Sequence, residues 1–211
     1  MALSKLAANS FDLTDNYALT GTVTGVVSTQ KLFLIKNIDA SSSGTVDFVN
    51  GASSVVLDNT YKTYLFRYIH LHPATDNVSF SVNFRDGGSN YDAPKTTSAF
   101  YAYHTEDDSG TGLAYDTGKD LAQSTGVQVL NTSVANDNDS GVVGELYLFN
   151  PSSTTFVKHF MVQSQNMQDG GSSEIFYVAG YCNTTAAIDG VQFKMSSGNI
   201  DSGRIALYGI K

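Results

Sequence analysis

The sequence predicts an all-β protein, an antiparallel two-sheet β-sandwich or jelly roll. Runs of alternating apolar and polar residues recur at spacings of roughly 10–15 residues, with turn residues between them. Charged residues make up only 15% of the chain, while hydroxyl residues, glycine, tyrosine and phenylalanine are abundant, a mixture that favours strands and turns. We therefore expect roughly eleven to thirteen short strands in one sandwich.

The first half of the chain contains six strand patterns. Asn50-Gly51 is the strongest short hairpin signal, and it predicts that the two runs on either side of it pair with each other. Val78–Arg85 alternates almost perfectly, so it and the long aromatic run before it are expected to be central strands with one buried face. The predicted strands are Gly21–Thr29, Leu32–Ile38, Thr45–Val49, Ser54–Leu57, Tyr61–Leu71 and Val78–Arg85.

The second half contains seven more strand patterns and one long polar segment. Thr105–Gln123 is acidic and contains three glycines, and a loop of that length is usually functional or mobile. The apolar run Arg204–Ile210 reaches almost to the last residue, and we expect it to be a central strand, because an exposed apolar edge would promote aggregation. The predicted strands are Thr97–His104, Gly126–Leu130, Val142–Phe149, Thr155–Gln163, Glu174–Cys182, Ala187–Met195 and Arg204–Ile210.

No linker or internal repeat divides the sequence, so we predict one β-sandwich domain over residues 21–211 and an N-terminal arm over residues 1–20. Leu3, Leu6 and Ala7 could share a helical face, but the polar residues that follow weaken the pattern. The arm is expected to be extended or a short helix. A first strand that covers an edge of the sandwich is an equal alternative.

The charge balance argues against two classes of partner. The chain carries 12 Lys and Arg against 20 Asp and Glu, a formal net charge of −8. This balance disfavours a protein that binds the phosphate backbone of nucleic acids or an anionic membrane surface. No apolar run is long enough for membrane insertion, and no signal peptide is expected at the start.

A single cysteine, Cys182, excludes an intrachain disulfide, and its apolar strand predicts a buried, inert thiol.

Four segments resemble the structural proteins of tailed-phage virions, especially those of marine phages. They are Ser4–Val23, Ile69–Asp76, Val78–Asp92 and the ending Ser196–Lys211, which reads Ser-Ser-Gly-Asn-Ile-Asp-Ser-Gly-Arg-Ile-Ala-Leu-Tyr-Gly-Ile-Lys. In that family such an ending closes the β-sandwich domain of a fibre or an appendage. The resemblance implies a virion protein of the tail-fibre, appendage or capsid-decoration type, assembled in the host cytoplasm. It also implies a homotrimer that contacts other virion proteins.

Tyrosine is the main candidate for ligand contact, with twelve in the chain. Tyr91, Tyr101, Tyr103 and Tyr115 have polar neighbours, and a tyrosine ring with its hydroxyl suits recognition of a host surface glycan or protein. The alternative is that tyrosines at the ends of a sheet complete the rim of the core. Both interpretations stay open for these four residues.

A metal site is a second candidate. His70 and His72 are two residues apart in a strand and would point to one face, where His104 or His159 could supply a third ligand. A histidine in an aromatic strand is more often a hydrogen-bonded core or surface residue. We therefore predict no cofactor and keep His70 and His72 only as candidate ligands.

The sequence lacks the motifs of the common enzyme classes, including the nucleophile elbow, the P-loop and the dinucleotide fingerprint. We expect a non-enzymatic virion structural protein that acts in assembly and in attachment to a host surface glycan. A stand-alone carbohydrate-binding module is the alternative. A polysaccharide-degrading enzyme is a third hypothesis, and its carboxylates would be Glu145 and Glu174.

Overall fold

A computed structural model describes residues 31–211. The predicted N-terminal arm and the predicted strand Gly21–Thr29 lie outside this range. All regular structure between residues 31 and 211 is β-strand, which confirms the all-β prediction. The same residues contain no helix that is long and apolar enough to cross a membrane.

Thirteen strands follow one another within residues 31–211, and every pairing between them is antiparallel. In chain order they are β1 (Leu32–Asp39), β2 (Val46–Val49), β3 (Thr63–Pro73), β4 (Val78–Arg85), β5 (Lys95–Thr105), β6 (Thr111–Tyr115), β7 (Leu121–Ser124), β8 (Gln128–Val134), β9 (Val142–Phe149), β10 (Lys158–Gln168), β11 (Ser172–Cys182), β12 (Gly190–Met195) and β13 (Ile200–Ile210).

The strands form one sheet that forks at β10. The main path runs β1-β13-β3-β9-β10-β8-β4-β12-β2. The branch leaves β10 through β11 and continues to β5, which pairs with both β6 and β7. β10 pairs with β11 along its whole length but with β8 only at Gln168 and Val134, so the branch and the main path separate there. The two end strands, β1 and β2, line a common cleft of about 420 Å³, and the sheet is nearly closed into a barrel.

The C-terminal strand is central, as predicted. β13 lies between β1 and β3, with Ile205 and Leu207 fully buried. Its pairing with β3 shifts register near Gly203, where φ is +110° and an added Cβ would collide with the backbone of His70. Glycine is needed at this bulge because a side chain would be both strained and crowded.

Aromatic side chains from strands that are not hydrogen-bonded to each other meet in the core. Phe66 of β3 and Phe193 of β12 have ring centroids 5.7 Å apart, and Tyr68 and Phe80 are 5.2 Å apart. The predicted inward face of β3, including Tyr64, is buried. Burying rings of this size removes a large apolar area from water and supplies most of the driving force for folding.

Two sequence predictions in the first half are wrong. Asn50-Gly51 forms a turn, but the segment after it is not a strand, and β2 pairs instead with β12. The Leu57 amide donates to Asn50 Oδ1 at 2.9 Å, which holds this segment as a buried loop. β4 also has more than one buried face, since Ser81 and Asn83 are 2% and 6% exposed. The Ser81 hydroxyl donates to the carbonyl of Lys194 on the neighbouring strand β12, and Asn83 Nδ2 donates to the carbonyl of Thr125, between β7 and β8.

A third correction concerns the predicted loop Thr105–Gln123. This stretch contains β6 and most of β7, which pair with β5. The edge of β5 supplies backbone hydrogen-bond partners that a free loop would lack. These hydrogen bonds stabilise strands here although the composition of the segment is polar.

The inner face of β5 and β11 ends in a closed cluster of charged and thiol groups, which we call the sealed end. Cys182 pairs with Lys158 on one side and with Lys95 on the other, and all three side chains are fully buried. Lys158 Nζ donates to the backbone carbonyls of Thr184 and Ala186. Burial raises the pKa of the Cys182 thiol to about 12. The prediction of a buried thiol is confirmed.

Candidate functional site

A polar cleft of about 550 Å³ opens at the fork of the sheet, where the β11–β5 branch parts from β8 and β4. We call it the fork cleft. Its wall includes aromatic, hydroxyl, amide and carboxylate side chains from five separate segments. The residues that matter most for its chemistry are Tyr101, Tyr103, Asp116, Thr132, Gln168 and Glu174.

Two tyrosines form the aromatic side of the fork cleft. Tyr101 and Tyr103 are two residues apart on β5 and therefore share its inner face. Their ring centroids are 6.3 Å apart, and Tyr101 also stacks on the buried Phe176 at 6.1 Å. Gly112 of β6 lies against Tyr103, and an added Cβ there would be 2.5 Å from the Tyr103 ring. The position of Tyr103 therefore depends on a small residue beneath its ring.

Glu174 places a carboxylate deep in the same cleft. It pairs with Tyr103 across β11 and β5 and is only 2% exposed. Oε1 accepts from Thr132 Oγ1 at 3.1 Å, and Oε2 accepts from Gln168 Nε2 at 2.8 Å. Burial raises the pKa of Glu174, against the lowering effect of its hydrogen bonds to Thr132. The charge of Asp116 adds a smaller upward effect on the pKa of Glu174.

The rim of the fork cleft comes from the turn between β6 and β7. Asp116 Oδ1 accepts from the Gly118 amide at 2.9 Å, which fixes the turn, and Lys119 lies on the same rim. Two carboxylates against one ammonium make the cleft slightly acidic. Aromatic faces beside hydroxyl, amide and carboxylate groups suit a ligand that has both apolar ring faces and many hydroxyls.

The four predicted tyrosines do not form one site. Tyr101 and Tyr103 lie in the fork cleft, whereas Tyr115 is about half exposed on the other face of the branch and donates to Asp120 Oδ2 at 2.7 Å. Tyr91 packs against Gly190 near β2 and β12. Burial raises the pKa of Tyr91 to about 12, and the nearby Asp47 carboxylate adds to the effect.

The candidate metal ligands are also dispersed. His70 sits in a bulge with φ of +47°, and His72 Nε2 lies 3.1 Å from the Asp137 carbonyl. His104 contacts Asp108 at 3.1 Å, and His159 packs against Tyr181. Within residues 31–211 no group of three or more His, Cys, Asp or Glu side chains is placed to hold a metal ion.

The two carboxylates of the enzyme hypothesis are not brought together. Glu145 accepts from Arg67 Nη2 at 2.6 Å and from the Tyr147 hydroxyl at 2.9 Å. It pairs with the exposed Gln163 of β10, whereas Glu174 pairs with the buried Asn166. Because alternate residues of a strand point to opposite faces, Glu145 and Glu174 lie on opposite sides of the sheet.

Sequence reasoning missed Thr132, Gln168 and Asp116 as residues of the fork cleft. Thr132 fell in a stretch that was expected to be a turn, and β8 in fact continues to Val134. Serine, threonine, glutamine and aspartate are common on any surface, so no local signal distinguishes these three. Only the pairing of distant strands brings them together.

A second surface lies on the opposite side of the same sheet. We call it the outer aromatic face, and its residues are Phe100, Tyr147, Phe149, Met161, Tyr177 and Tyr181. Phe100 and Tyr177 stack with centroids 4.9 Å apart, and Phe100 and Met161 are 43% and 56% exposed. A groove of about 620 Å³ runs between Phe149, Met161 and Tyr181. Contiguous exposed apolar surface of this kind is typical of an interaction face.

No protein-family model, no curated protein and no solved structure matches this chain.

Proposed function

We propose that this chain is a non-enzymatic structural protein of a tailed-phage virion, of the tail-fibre, appendage or capsid-surface decoration type. The observation that carries the proposal is the position of Ser196–Lys211, the segment with the strongest resemblance to such proteins. It supplies β13, in the interior of the sheet, so the resembling residues are a central part of the fold and not an exposed tag.

The finer architecture that we propose is a two-sheet sandwich of the jelly-roll type. The first layer would hold β1, β13, β3, β9, β10, β11 and β5, and the second would hold β8, β4, β12 and β2. Rings meet between these groups, as Phe66 and Phe193 do, and Phe84 of β4 lies 4.9 Å from Phe160 of β10. Face-to-face contacts between unpaired strands are what a sandwich requires.

The direct test of the virion assignment uses purified particles. Mass spectrometry of the virions should detect peptides of this chain, and cryo-electron microscopy should place it on the capsid surface or on the tail. Density on the capsid would identify a decoration protein, and density on a fibre would identify an attachment protein. Absence of the chain from purified virions would overturn the proposal.

We further propose that the protein assembles as a homotrimer through the outer aromatic face. The number of copies rests on the resemblance, and the choice of surface rests on the exposed rings and on Met161. Light scattering should give the mass of three chains, and Met161→Glu should give a monomer because it places a charge in the buried contact. Leu34→Glu is the control, since Leu34 is 52% exposed on the same side of the sheet but lies on β1, which β13 and β3 separate from β9. A wild-type monomer at micromolar concentration contradicts the trimer.

The fork cleft favours a second function, binding of a glycan at the host surface. Tyr101 and Tyr103 offer stacking faces beside the hydrogen-bonding groups of Thr132, Gln168 and Glu174. A glycan array followed by calorimetry should identify a ligand, and Tyr103→Ala should weaken it by about tenfold, since ring contacts contribute about 0.5–1.5 kcal/mol beyond the buried area.

The matched control for the glycan test is Tyr115→Ala, because Tyr115 lies on the neighbouring strand but outside the fork cleft. Its affinity should equal that of the wild type. Gly112→Ala should mimic Tyr103→Ala, since the new methyl group would displace the Tyr103 ring. Loss of binding in Tyr115→Ala with none in Tyr103→Ala would overturn the site, as would an array without any bound glycan.

A further inference from the structure

The side chain of Lys95 is the most unusual buried group in the described chain. It is the first residue of β5 and is 0% exposed. Among residues 31–211 no carboxylate forms an ion pair with it. Nζ donates instead to Asn83 Oδ1 at 2.5 Å and to the Ala93 carbonyl at 2.8 Å. A buried lysine usually has a charged partner, so this contact with a carboxamide needs an explanation.

The Asn83 carboxamide is held rigidly in front of that amine. Oδ1 also accepts from the Phe84 amide at 3.0 Å, while Nδ2 donates to the Thr125 carbonyl at 3.1 Å. The Phe84 amide polarises the C=O bond and stabilises negative charge on the oxygen, as a donor in an oxyanion hole does, when Nζ turns from Oδ1 to Cγ. Since that bond is about 1.2 Å long, Lys95 Nζ lies within about 3.7 Å of Cγ, close to the reacting distance of about 3–3.5 Å.

The amine of Lys95 is also partly in the neutral form that a nucleophile requires. An ammonium group has no lone pair, so only neutral lysine can attack a carbonyl carbon. Burial lowers the pKa of Lys95 to about 8, which leaves on the order of a tenth of it neutral near pH 7. Cys182, Asp92 and Asp86 act electrostatically in the opposite direction and raise its pKa by less than burial lowers it.

We propose that Lys95 and Asn83 condense to form an intramolecular amide cross-link between β5 and β4. Nζ attacks Cγ of Asn83 and forms a new C–N bond. The bond from Cγ to Nδ2 then breaks, and Nδ2 leaves as ammonia after taking the proton that Nζ gives up. No electron is gained or lost, and no other reactant is required.

The cross-link would join two parts of the fold that the backbone ladder leaves separate. β4 pairs with β12 and β8, while β5 pairs with β11, β6 and β7, and the two strands do not pair with each other. A covalent bond there would tie the branch to the main path and restrict the unfolded chain. This inference is independent of the virion assignment and of glycan binding.

The test is the intact mass of the purified full chain under denaturing conditions. The wild type should be lighter than its sequence by the mass of one ammonia molecule, and Lys95→Met and Asn83→Ala should each have the full mass of their own sequence. Lys158→Met is the matched control, because Lys158 is equally buried but its Nζ contacts only backbone carbonyls. It should retain the deficit.

Trypsin digestion locates the bond. A cross-linked chain yields one branched species in which Tyr68–Arg85 is joined to Asp86–Lys119, with no cleavage after Lys95. A succinimide at Asn83 would give the same intact mass, but the two peptides would separate. A wild type at its full sequence mass, or a deficit that survives in Lys95→Met, would overturn the proposal. The branched wild-type peptide decides the question by itself, because its detection does not depend on how well any variant folds.

Discussion

The two ends of the inner face of β5 and β11 differ in the kind of hydrogen-bond partner that holds a buried charged group. At the fork cleft, Glu174 faces Tyr103, and its carboxylate is held mostly by the side chains of Thr132 and Gln168 beside open space. At the sealed end, Lys158 is held by two backbone carbonyls and is fully buried. These two strands and the neighbouring β10, which carries Lys158, thus bury an acid at one end and a base at the other.

The kind of partner is what separates a structural charge from an accessible one. A backbone carbonyl is fixed by the fold, so the ammonium of Lys158 completes a hydrogen-bonding requirement that would otherwise stay unmet. The side-chain partners of Glu174 can turn toward a ligand and exchange one hydrogen bond for another. This difference supports the proposal that the fork cleft binds a ligand, whereas the sealed end contributes to stability.

The largest expected effect at the sealed end concerns the reactivity of Cys182. Burial raises the pKa of its thiol to about 12, against an ordinary value of 9.0, which lowers the thiolate fraction about a thousandfold. A thiol reagent such as dithiobis-nitrobenzoate should therefore modify the native chain at least about a thousandfold more slowly than the chain in guanidinium chloride. Rapid, stoichiometric modification of the native protein would show that the sealed end is open.

The next effect is the loss of stability when a buried lysine is truncated. Lys158→Ala leaves the carbonyls of Thr184 and Ala186 without their donor, and it should lower the free energy of unfolding by about 2–4 kcal/mol. Urea denaturation measures this change. Lys62→Ala is the control, because Lys62 is exposed and should change stability by less than about 0.5 kcal/mol. Equal losses of unfolding free energy in the two variants would contradict a structural role for Lys158.

The sequence predicted the strands with strong alternation well. It did not predict which segments cover the faces of those strands. β3, β4 and β13 were predicted because their apolar residues recur at period 2 and a core must bury them. The polar face of β4 was expected to meet water. It meets Lys95 and Thr125 instead, because the segments that cover it come from other parts of the chain. Alternation shows which side chains share a face but not which segment lies against that face.

The two ends of the inner face illustrate the same limit for the candidate site. Tyr101 and Tyr103 were singled out for their polar neighbours, and their spacing of two residues places both on one side of a strand. Glu174 was noticed as an acid at the start of a strand, but its role depends on Thr132 and Gln168. These belong to two other strands, and long-range pairing of this kind leaves no local pattern in the sequence.

The smallest expected effect is the dependence of stability on pH, which should have opposite signs at the two ends. Burial raises the pKa of Glu174 above its ordinary 4.5, so its contribution to stability is full below pH about 4.5 and is lost as the pH rises through the folded-state pKa. Burial lowers the pKa of Lys158 below its ordinary 10.5, so its contribution is full above pH about 10.5 and is lost as the pH falls through the folded-state pKa.

Glu174→Gln isolates the acidic half of this contrast, because glutamine keeps the shape of the side chain and does not ionise. Relative to this variant, the wild type should lose unfolding free energy as the pH rises from about 4.5 through the folded-state pKa of Glu174, as measured by urea denaturation at several pH values. Glu106→Gln, at an exposed position, should follow the wild type throughout. Parallel curves for the wild type and Glu174→Gln would mean that Glu174 is as well solvated in the folded chain as in the unfolded one. The fork cleft would then be more open to water than it is in the structure. The Glu174 carboxylate could bind a ligand while it keeps its present hydrogen bonds.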